Sequence, residues 1–231
     1  MNILGIILAR GGSKEVPRKN LLKIGGKTLV ELAIQSANES EFLSRTIFST
    51  DDLEIFKVAE SAGAYLPFLR PSDLAQDNSS TFSVVKHAVD WLKSNEDWKA
   101  DIIVILQPTT PFRTGKHIDD VIQLMIKENA DSAITVKKPD YPPFWMLELD
   151  SNQKLTNIIK DGNKFLRRQD TPEVYQPAGL VYALSYELLK EMDTLLPSGD
   201  TCGLIVPEND AINIDTQMHY ELAKIIYKNN E

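Results

Sequence analysis

Residues 3–20, ILGIILARGGSKEVPRKN, organise the rest of the chain. The apolar run from Ile3 to Leu8 predicts a buried β-strand that ends abruptly in a loop with two adjacent glycines. Because glycine has no Cβ, the backbone there can approach a ligand closely. The loop also holds four cations, namely Arg10, Lys14, Arg18 and Lys19. Backbone N–H groups and cations at the carboxyl end of a strand predict a polyphosphate site, against the alternative of a solvated basic turn.

The composition narrows the class of protein. The chain has 231 residues, of which 42% are hydrophobic and 25% charged, as in ordinary globular enzymes. Its net charge of −8 argues against a nucleic-acid-binding surface, which needs a broad basic face. No apolar run reaches the roughly 20 residues of a membrane span and no secretion signal is evident, so we expect a cytoplasmic protein without a membrane partner. A single cysteine, Cys202, excludes an internal disulfide and a cysteine-rich metal site.

Strand and helix patterns alternate along most of the chain. We predict strands at 3–9, 46–49, 65–69, 102–106, 132–137, 180–184 and 203–206. We predict helices at 29–37, 55–62, 81–93, 115–128, 186–192 and 216–228. Thr28 and Glu31 form a capping-box pattern at the start of the first helix. The alternation predicts an α/β fold with a mostly parallel sheet flanked by helices, in which ligands bind at the carboxyl ends of the strands.

Residues 139–179 interrupt this alternation. They contain several prolines, an aromatic cluster of Tyr141, Phe144 and Trp145, and an Asp161-Gly162 pair that predicts a hairpin turn. A segment of this length without a helical period is typical of a lid or of an arm that reaches a partner subunit. We therefore predict one domain over residues 1–231, with 139–179 as an inserted arm.

Four stretches are expected at the ends of strands, where they would meet at one edge of the sheet. They are residues 10–20, 77–81, 107–113 and 213–215. Their cations, hydroxyl groups and amides, with the carboxylate of Asp215, suit a nucleoside triphosphate with Mg²⁺, because a hard divalent cation prefers oxygen ligands. The implied reaction is displacement at a phosphorus atom, where positioning and charge neutralisation do most of the catalysis. Taken alone, Asp215 has the alternative of a solvated carboxylate that merely ends a strand.

Other common catalytic patterns are absent from the sequence. Gly26-Lys27-Thr28 lacks the first glycine of a P-loop, since Leu21 stands there, and no G-x-G-x-x-G fingerprint follows the first strand. The three histidines share no metal-ligand spacing, and no G-x-S-x-G nucleophile elbow occurs. The predicted polyphosphate site therefore matches neither of the two common phosphate motifs.

Six motifs in order along the chain carry a family resemblance. They are LARGGSK…PRKN at 8–20, STD at 49–51, RPSDLA at 70–75, LQPTTPFR at 106–113, RRQ at 167–169 and IDT at 214–216. Together they resemble the acylneuraminate cytidylyltransferases, the synthetases of CMP-sialic acid and related CMP-nonulosonic acids. The resemblance implies a Rossmann-like nucleotidyltransferase fold of the GT-A kind, and a homodimer formed through the arm. It also implies Mg²⁺-dependent transfer of a cytidylyl group from CTP to the anomeric hydroxyl of a nine-carbon α-keto acid sugar, with release of pyrophosphate.

The resemblance assigns roles to individual residues. Arg10, Lys19 and Asp215 match catalytic positions, the first two as triphosphate ligands, helped by Lys14 and Arg18, and Asp215 as a metal ligand beside Asn213. The implied nucleotide-binding residues are Arg10, Gly11, Gly12, Ser13, Lys14, Lys19, Asn20, Ser79, Ser80, Thr81 and Gln107. The implied sugar-binding residues are Gln107, Arg168 and Gln169. The last two belong to the arm and would reach the cleft of a neighbouring subunit.

Two departures from the family pattern concern the metal and the sugar. Asn213 stands where the family often has the first aspartate of D-I-D-T, and an amide oxygen is a weaker ligand for Mg²⁺ than a carboxylate. Residues 176–180, QPAGL, replace the family's R-P-N-G-A and lose an amide that could contact the sugar. The acceptor is therefore open among sialic, legionaminic and pseudaminic acids. The alternatives are a same-fold enzyme acting on a Kdo-like or sugar-phosphate acceptor, and an inactive nucleotide-binding relative.

Overall fold

A computed structural model of the chain describes residues 1–13, 15–76, 79–192, 194–195 and 199–229. The strands are β1 (Ile3–Leu8), β2 (Lys23–Ile24), β3 (Lys27–Thr28), β4 (Arg45–Ser49), β5 (Ile102–Leu106), β6 (Ser132–Lys137), β7 (Leu147–Leu149), β8 (Leu155–Asn157), β9 (Gln176–Ser185) and β10 (Thr201–Ile205). The α-helices are α1 (Leu29–Asn38), α2 (Leu53–Ser61), α3 (Thr81–Glu96), α4 (Gly115–Glu128), α5 (Tyr186–Glu191) and α6 (Gln217–Asn229).

The described residues form a central six-stranded sheet in the order β10-β6-β9-β5-β1-β4. β1 pairs in parallel with β4 and β5, and β10 pairs in parallel with β6. β9 is antiparallel to both of its neighbours, β5 and β6. Two short hairpins, β2-β3 and β7-β8, lie outside this sheet. The predicted mostly parallel α/β sheet is confirmed, with β9 as the reversed strand.

The core lies on both faces of the sheet because successive strand residues point to opposite sides. Ile3 and Ile7 of β1 face a cluster formed with α1, α2 and α4. Leu4 and Ile6 face the opposite cluster, formed with α3 and α5. A third, smaller cluster joins α6 to the β2-β3 hairpin through Ala223 and neighbouring apolar residues. The central strands are therefore packed on both faces, which fixes the strand ends from which the following loops leave the sheet.

Several predicted elements are confirmed by the structure. The Thr28–Glu31 capping box forms at the start of α1, with the Thr28 hydroxyl accepting from the Glu31 N–H. β5, β6 and α4 begin and end at the predicted residues. α3 extends three residues beyond the predicted end, to Glu96.

The predicted strand at 65–69 is wrong. The segment runs beside β4, but only its ends are tied there: Phe48 donates to the Tyr65 carbonyl at 2.9 Å, and Arg70 donates to the Thr50 carbonyl at 2.8 Å. Pro67 lies between them and has no N–H to donate, so a continuous ladder cannot form.

The hairpin predicted at Asp161-Gly162 is also wrong. Asp161 adopts a left-handed conformation, with φ of 62°, and starts a 3-10 helix over 162–164. A Cβ on Gly162 would lie 2.2 Å from the Phe144 carbonyl oxygen, so glycine is required there by close packing. The arm instead contains the β7-β8 hairpin, whose turn is held by the Asp150 carboxylate. β9 begins at Gln176, so residues 176–179 of the predicted arm belong to the central sheet.

Within the described part of the chain, no helix combines the length and the apolar character needed to cross a membrane.

Candidate active site

A cavity of about 640 Å³ opens at the carboxyl ends of β1 and β5. It collects most of the residues that the sequence assigned to a nucleotide or a metal, namely Arg10, Ser13, Lys19, Asn20, Ser79, Thr81, Gln107, Asn213 and Asp215. Gly11, Gly12 and Ser80 are not among its lining residues. Lys14 lies outside the described residues. We refer to this cavity as the main cleft.

The loop after β1 is held by contacts that keep Arg10 at the cleft. The Asn20 amide is buried and donates to the Arg10 carbonyl at 2.9 Å. The Gly11 N–H donates to Asp51 Oδ1 at 3.1 Å. A Cβ on Gly11 would lie 2.6 Å from Asp52 Oδ2, so this glycine permits a close approach to a carboxylate. Asn20 and Gly11 therefore shape the loop that presents the cation.

Arg18 has a structural partner and does not line the main cleft. Its backbone is left-handed, with φ of 55°, and its guanidinium lies 2.5 Å from Asp52 Oδ2 and also pairs with Glu54. The hydrogen bond from Arg18 lowers the pKa of the Asp52 carboxyl below its ordinary value. Arg18 therefore ties the loop after β1 to the start of α2, which differs from the helper role at the triphosphate that the sequence suggested.

Lys19 and Asp215 meet across the cleft. Lys19 Nζ lies 3.0 Å from Asp215 Oδ1, and the Asp215 N–H donates to His219 Nδ1 at 3.3 Å. The residues before α6 form no strand, so the expectation that Asp215 ends one is wrong. This stretch is instead held by the Ile214 N–H, which donates to the Thr109 carbonyl at 2.8 Å.

Arg70 is a cation of the cleft that the sequence reasoning did not select. It is buried and donates to Ser49 through Nε, 3.0 Å from the hydroxyl, and through Nη2, 2.5 Å from the carbonyl. Burial lowers its pKa to about 10, against the favourable charge of Asp51, so the guanidinium stays charged at neutral pH. Its signal in the sequence is the first residue of the RPSDLA motif at 70–75.

The amino terminus of α3 borders the cleft on another side. Ser79 and Thr81 line the cavity, while the Ser80 hydroxyl caps the helix by accepting from the Ser83 N–H at 3.1 Å. Ser80 therefore serves the helix, and the residues around it face the cavity. The positive end of the helix dipole favours an anion at this position.

Arg168 and Gln169 line a different cavity, of about 400 Å³, within the arm. Arg168 Nη2 donates to the Pro139 carbonyl at 3.1 Å. Within one chain, the structure does not bring these two residues together with Gln107. A further cavity of about 380 Å³ shares Asn213 and Asp215 with the main cleft and is also lined by Gln176, Ala178, Tyr182 and His219. We call it the side cavity; Tyr182 and His219 were not selected from the sequence.

The residues present fit Mg²⁺ only as part of a site completed by a substrate. Among the described residues, no group of three or more His, Cys, Asp or Glu side chains could hold a metal. Asp215 and Asn213 line the same cavity and offer oxygen atoms, and the buried Asn213 Oδ1 has no hydrogen-bond partner. Mg²⁺ usually keeps several waters and binds proteins through one or two carboxylates together with substrate phosphates. The oxygen atoms of Asp215 and Asn213 match this mode of Mg²⁺ binding.

Comparison with known proteins agrees with this geometry. The sequence model of a family described as "Cytidylyltransferase" matches residues 4–195. A pseudaminic acid cytidylyltransferase of Campylobacter jejuni is 31% identical over 230 residues, which cover 100% of this chain and 98% of the relative. A CMP-N,N'-diacetyllegionaminic acid synthase of Legionella pneumophila is 28% identical over 233 residues, with the same coverage of 100% and 98%. These matches confirm the resemblance that the motifs carry.

The fold has a counterpart among solved structures. A CMP:2-keto-3-deoxy-manno-octonic acid synthetase complexed with CTP superposes over 100% of both chains with a TM-score of 0.71 and 16% sequence identity. At that identity the likeness establishes the architecture alone, a mostly parallel α/β sheet with helices on both faces.

Proposed function

The chain belongs to the cytidylyltransferase family, and we propose that it transfers the cytidylyl group of CTP to the anomeric hydroxyl of a nonulosonic acid, releasing pyrophosphate. The observation that carries this proposal is the main cleft itself. There, Arg10, Lys19 and Arg70 converge with Asp215 at the carboxyl ends of the strands. The cations suit the phosphates of a nucleoside triphosphate, and the carboxylate suits the Mg²⁺ that accompanies them.

The cations hold the triphosphate. Arg10 and Lys19 reach the cleft from the loop after β1, and Arg70 reaches it from the opposite side of β4. Arginine presents a planar fork of donors that matches phosphate oxygens, whereas lysine acts as a point charge. Because Arg70 is fixed by Ser49, it meets the phosphates without ordering a flexible side chain, which lowers the entropic cost of binding.

The reaction is a displacement at the α-phosphorus. The anomeric hydroxyl oxygen of the acid forms the new bond to phosphorus and gives its proton to solvent, while the bond from that phosphorus to the leaving pyrophosphate breaks. The cations oppose the negative charge that grows on pyrophosphate in the transition state. Gln107 borders the cleft at the end of β5, where the nucleotide and the acceptor would meet, so its amide orients the two reactants.

Magnesium would be held by Asp215, with Asn213 as a neutral second ligand. When bound, the ion supplies charge neutralisation on the phosphate oxygens. Lys19 Nζ lies 3.0 Å from Asp215 Oδ1, so the carboxylate is positioned by a cation from the loop after β1.

The acceptor lies in the side cavity. Its polar groups include Gln176, Tyr182 and His219, and Ala178 gives it an apolar patch. The two relatives named above act on pseudaminic acid and on N,N'-diacetyllegionaminic acid, at 31% and 28% identity. Those two acids, with sialic acid as the third member, are the acceptors to assay. We propose a cytoplasmic location for the enzyme.

The arm pairs two copies of the chain into a homodimer. It exposes a set of large apolar side chains, Tyr141, Met146, Leu147, Leu149, Leu155, Ile158 and Leu166. Contiguous exposure of this kind is typical of a protein–protein interface. In the dimer, Arg168 and Gln169 of one arm would approach the side cavity of the partner.

Light scattering tests the dimer directly. Leu155 stands opposite Leu149 in the β7-β8 hairpin, so Leu155→Glu should turn the dimer into a monomer. Leu53→Glu alters an equally exposed leucine outside the arm and should leave the mass unchanged. A monomeric mass for the unaltered protein would contradict the proposed homodimer.

Pyrophosphate release tests the function. We would assay the four nucleoside triphosphates separately with Mg²⁺ and each of the three acids, and we expect release only with CTP. Release with a Kdo-like or sugar-phosphate acceptor instead would keep the nucleotide chemistry and change the acceptor class. Binding of CTP by calorimetry without release from any acceptor would support the inactive relative.

A further inference from the structure

The pairing of β5 with β9 stops just before the cleft. Its last registered pair is Ile105 with Tyr182. Beyond that point the backbone carbonyls of Gln107 and Leu180 both accept from Nη1 of Arg113, at 2.8 Å and 3.1 Å. One guanidinium therefore bridges two strands where their own ladder has ended. Without it, two carbonyl groups beside the core would lack this donor.

The surroundings of Arg113 are those of the protein core. Its exposed fraction is 4%, and it also donates to the Thr110 hydroxyl at 3.0 Å and, through Nε, to the Ser36 hydroxyl at 3.1 Å. Within the described part of the chain no carboxylate pairs with it, and Nη2 has no partner. Burial lowers its pKa to about 9, which still leaves the guanidinium charged at neutral pH.

Stability alone does not account for an arginine at this position. A buried charge without a counter-ion costs free energy, and an apolar side chain of similar volume would avoid that cost but would leave the Gln107 and Leu180 carbonyls without this donor. What the guanidinium provides is geometry: a planar group with donors in fixed directions, which reaches β5, β9 and α1 at once.

The bridged carbonyls belong to residues beside the two cavities of the proposed site, and we call these two places the Gln107 wall and the Gly179 wall. Gln107 lines the main cleft together with the residues that follow it. Gly179, which precedes Leu180, lines the side cavity and has φ of +81°. A Cβ on Gly179 would lie 3.6 Å from the Thr110 methyl group and 3.9 Å from Asn213 Nδ2. The backbone that Arg113 holds therefore passes close to the candidate metal ligand Asn213.

We propose that Arg113 is a positioning residue whose guanidinium sets the separation between the Gln107 wall and the Gly179 wall, and hence the distance between bound nucleotide and acceptor. The inference rests on the proposed function for its catalytic consequence. Its structural part, the coupling of the two walls through one side chain, stands independently of which acceptor is used.

Arg113→Lys is the main test, because it keeps a cation and removes the planar fork. We expect CTP affinity, measured by calorimetry, to stay within about threefold, because the triphosphate is held by the β1 loop. We expect kcat/KM for the acceptor to fall about 100-fold, since small errors in placing reactants carry large costs in rate. Equal losses in CTP affinity and in acceptor kcat/KM would overturn the positioning role.

Ser36→Ala is the matched control. It removes the partner of Nε on α1 and leaves both bridged carbonyls in place. We expect a lower free energy of unfolding with kcat/KM near that of the unaltered enzyme. A loss of kcat/KM as large as that of Arg113→Lys would mean that any disturbance of this region suffices, and would contradict the proposal.

Hydrogen exchange separates failure of this inference from failure of the proposed function, because it needs no substrate. In Arg113→Lys we expect faster exchange in peptides covering 104–112 and 176–184, with peptides over α6 unchanged. If Arg113→Lys does not fold, Thr110→Val should show a smaller change in the same two peptides, because it removes a hydroxyl that accepts from the same guanidinium and donates to the Gln107 carbonyl at 3.0 Å. Unchanged exchange in both peptides would overturn the coupling, whatever the enzyme's activity.

Discussion

Lys19 Nζ lies 3.0 Å from Asp215 Oδ1, although the two residues are separated by 196 positions in the chain. The contact joins the loop after β1 to the stretch that leads into α6. α6 is itself attached to the β2-β3 hairpin next to Lys19, where the Tyr220 hydroxyl donates to the Lys23 carbonyl at 2.8 Å. α6 therefore packs on the β2-β3 hairpin that follows Lys19, and the stretch that leads into α6 carries Asp215.

Loss of the Asp215 carboxylate should weaken Mg²⁺ binding and also lower kcat. We expect Asp215→Asn to raise the Mg²⁺ concentration at half-maximal activity and to lower kcat about 100-fold, because the negatively charged oxygen ligand is lost. A magnesium titration of steady-state rates measures both. Asp120→Asn, which alters a carboxylate paired with Lys116 on the surface of α4, is the control and should behave like the unaltered enzyme. An unchanged metal midpoint in Asp215→Asn would remove Asp215 from the metal site.

Arg10 should act mainly in the transition state. If its cation opposes charge that grows on the leaving pyrophosphate, Arg10→Ala should reduce kcat by about 10²–10³-fold, with a smaller change in CTP affinity. Stopped-time pyrophosphate assays and calorimetry supply the two quantities. Lys116→Ala removes an exposed cation that does not line the main cleft, and it serves as the control. Equal losses in kcat and in CTP affinity would instead indicate uniform ground-state binding.

Asn213→Asp should strengthen magnesium binding. The buried Asn213 Oδ1 lacks a hydrogen-bond partner and lines the cavity beside Asp215, so a carboxylate there would add a charged ligand. The expected result is a lower magnesium midpoint by about tenfold. Asn152→Asp, in the turn of the arm hairpin, controls for the added negative charge. The same midpoint in Asn213→Asp and in the unaltered enzyme would show that position 213 is not a ligand.

Much of this fold can be predicted because its signals are local. The five branched residues of β5 predict a central strand, and Thr114 and Asn129 bound α4 as cap residues. The reversed direction of β9 could not be predicted, since a buried strand has the same apolar pattern in either direction. Its direction is set by the arm, which returns the chain to the edge of the sheet where β6 ends, so that Gln176 pairs with Lys137.

Some features of the site can likewise be predicted from the sequence, and others cannot. That Arg10 and Gln107 would meet follows from strand ends sharing one edge of a sheet. Asp215 lines the same cleft without ending a strand, so its position does not follow from that rule. The pairing of Arg18 with Asp52 does not follow, because either cation of Arg18-Lys19 could have faced the cleft. Nor does the burial of Arg70, which depends on the Ser49 hydroxyl and carbonyl at the end of β4.

Gly25 should be more sensitive to substitution than its neighbour Gly26. Both have positive φ, 58° and 82°, but a Cβ on Gly25 would lie 2.0 Å from the Tyr227 ring, whereas nothing lies within 4 Å of one on Gly26. We expect Gly26→Ala to cost about 1 kcal/mol of unfolding free energy, from φ alone, and Gly25→Ala roughly 1–3 kcal/mol more.

Chemical denaturation measures both costs. Adding Tyr227→Ala should remove most of the excess for Gly25→Ala, because it deletes the ring that the new methyl group meets. Gly25→Ala also tests whether the packing of α6 on the hairpin supports the Lys19–Asp215 contact. If it does, Gly25→Ala should lower turnover as well as the free energy of unfolding. Equal costs at the two glycines would mean that Tyr227 does not pack over the hairpin.

The fate of the α-phosphorus tests the central claim most directly. CTP labelled with ³²P at the α-phosphorus would be incubated with the enzyme, Mg²⁺ and pseudaminic, legionaminic or sialic acid in turn, and the products separated. The account predicts that the label moves into a CMP–acid ester, with one pyrophosphate released per ester. Label that remained in CTP with every acid, or that appeared only as free CMP, would contradict it.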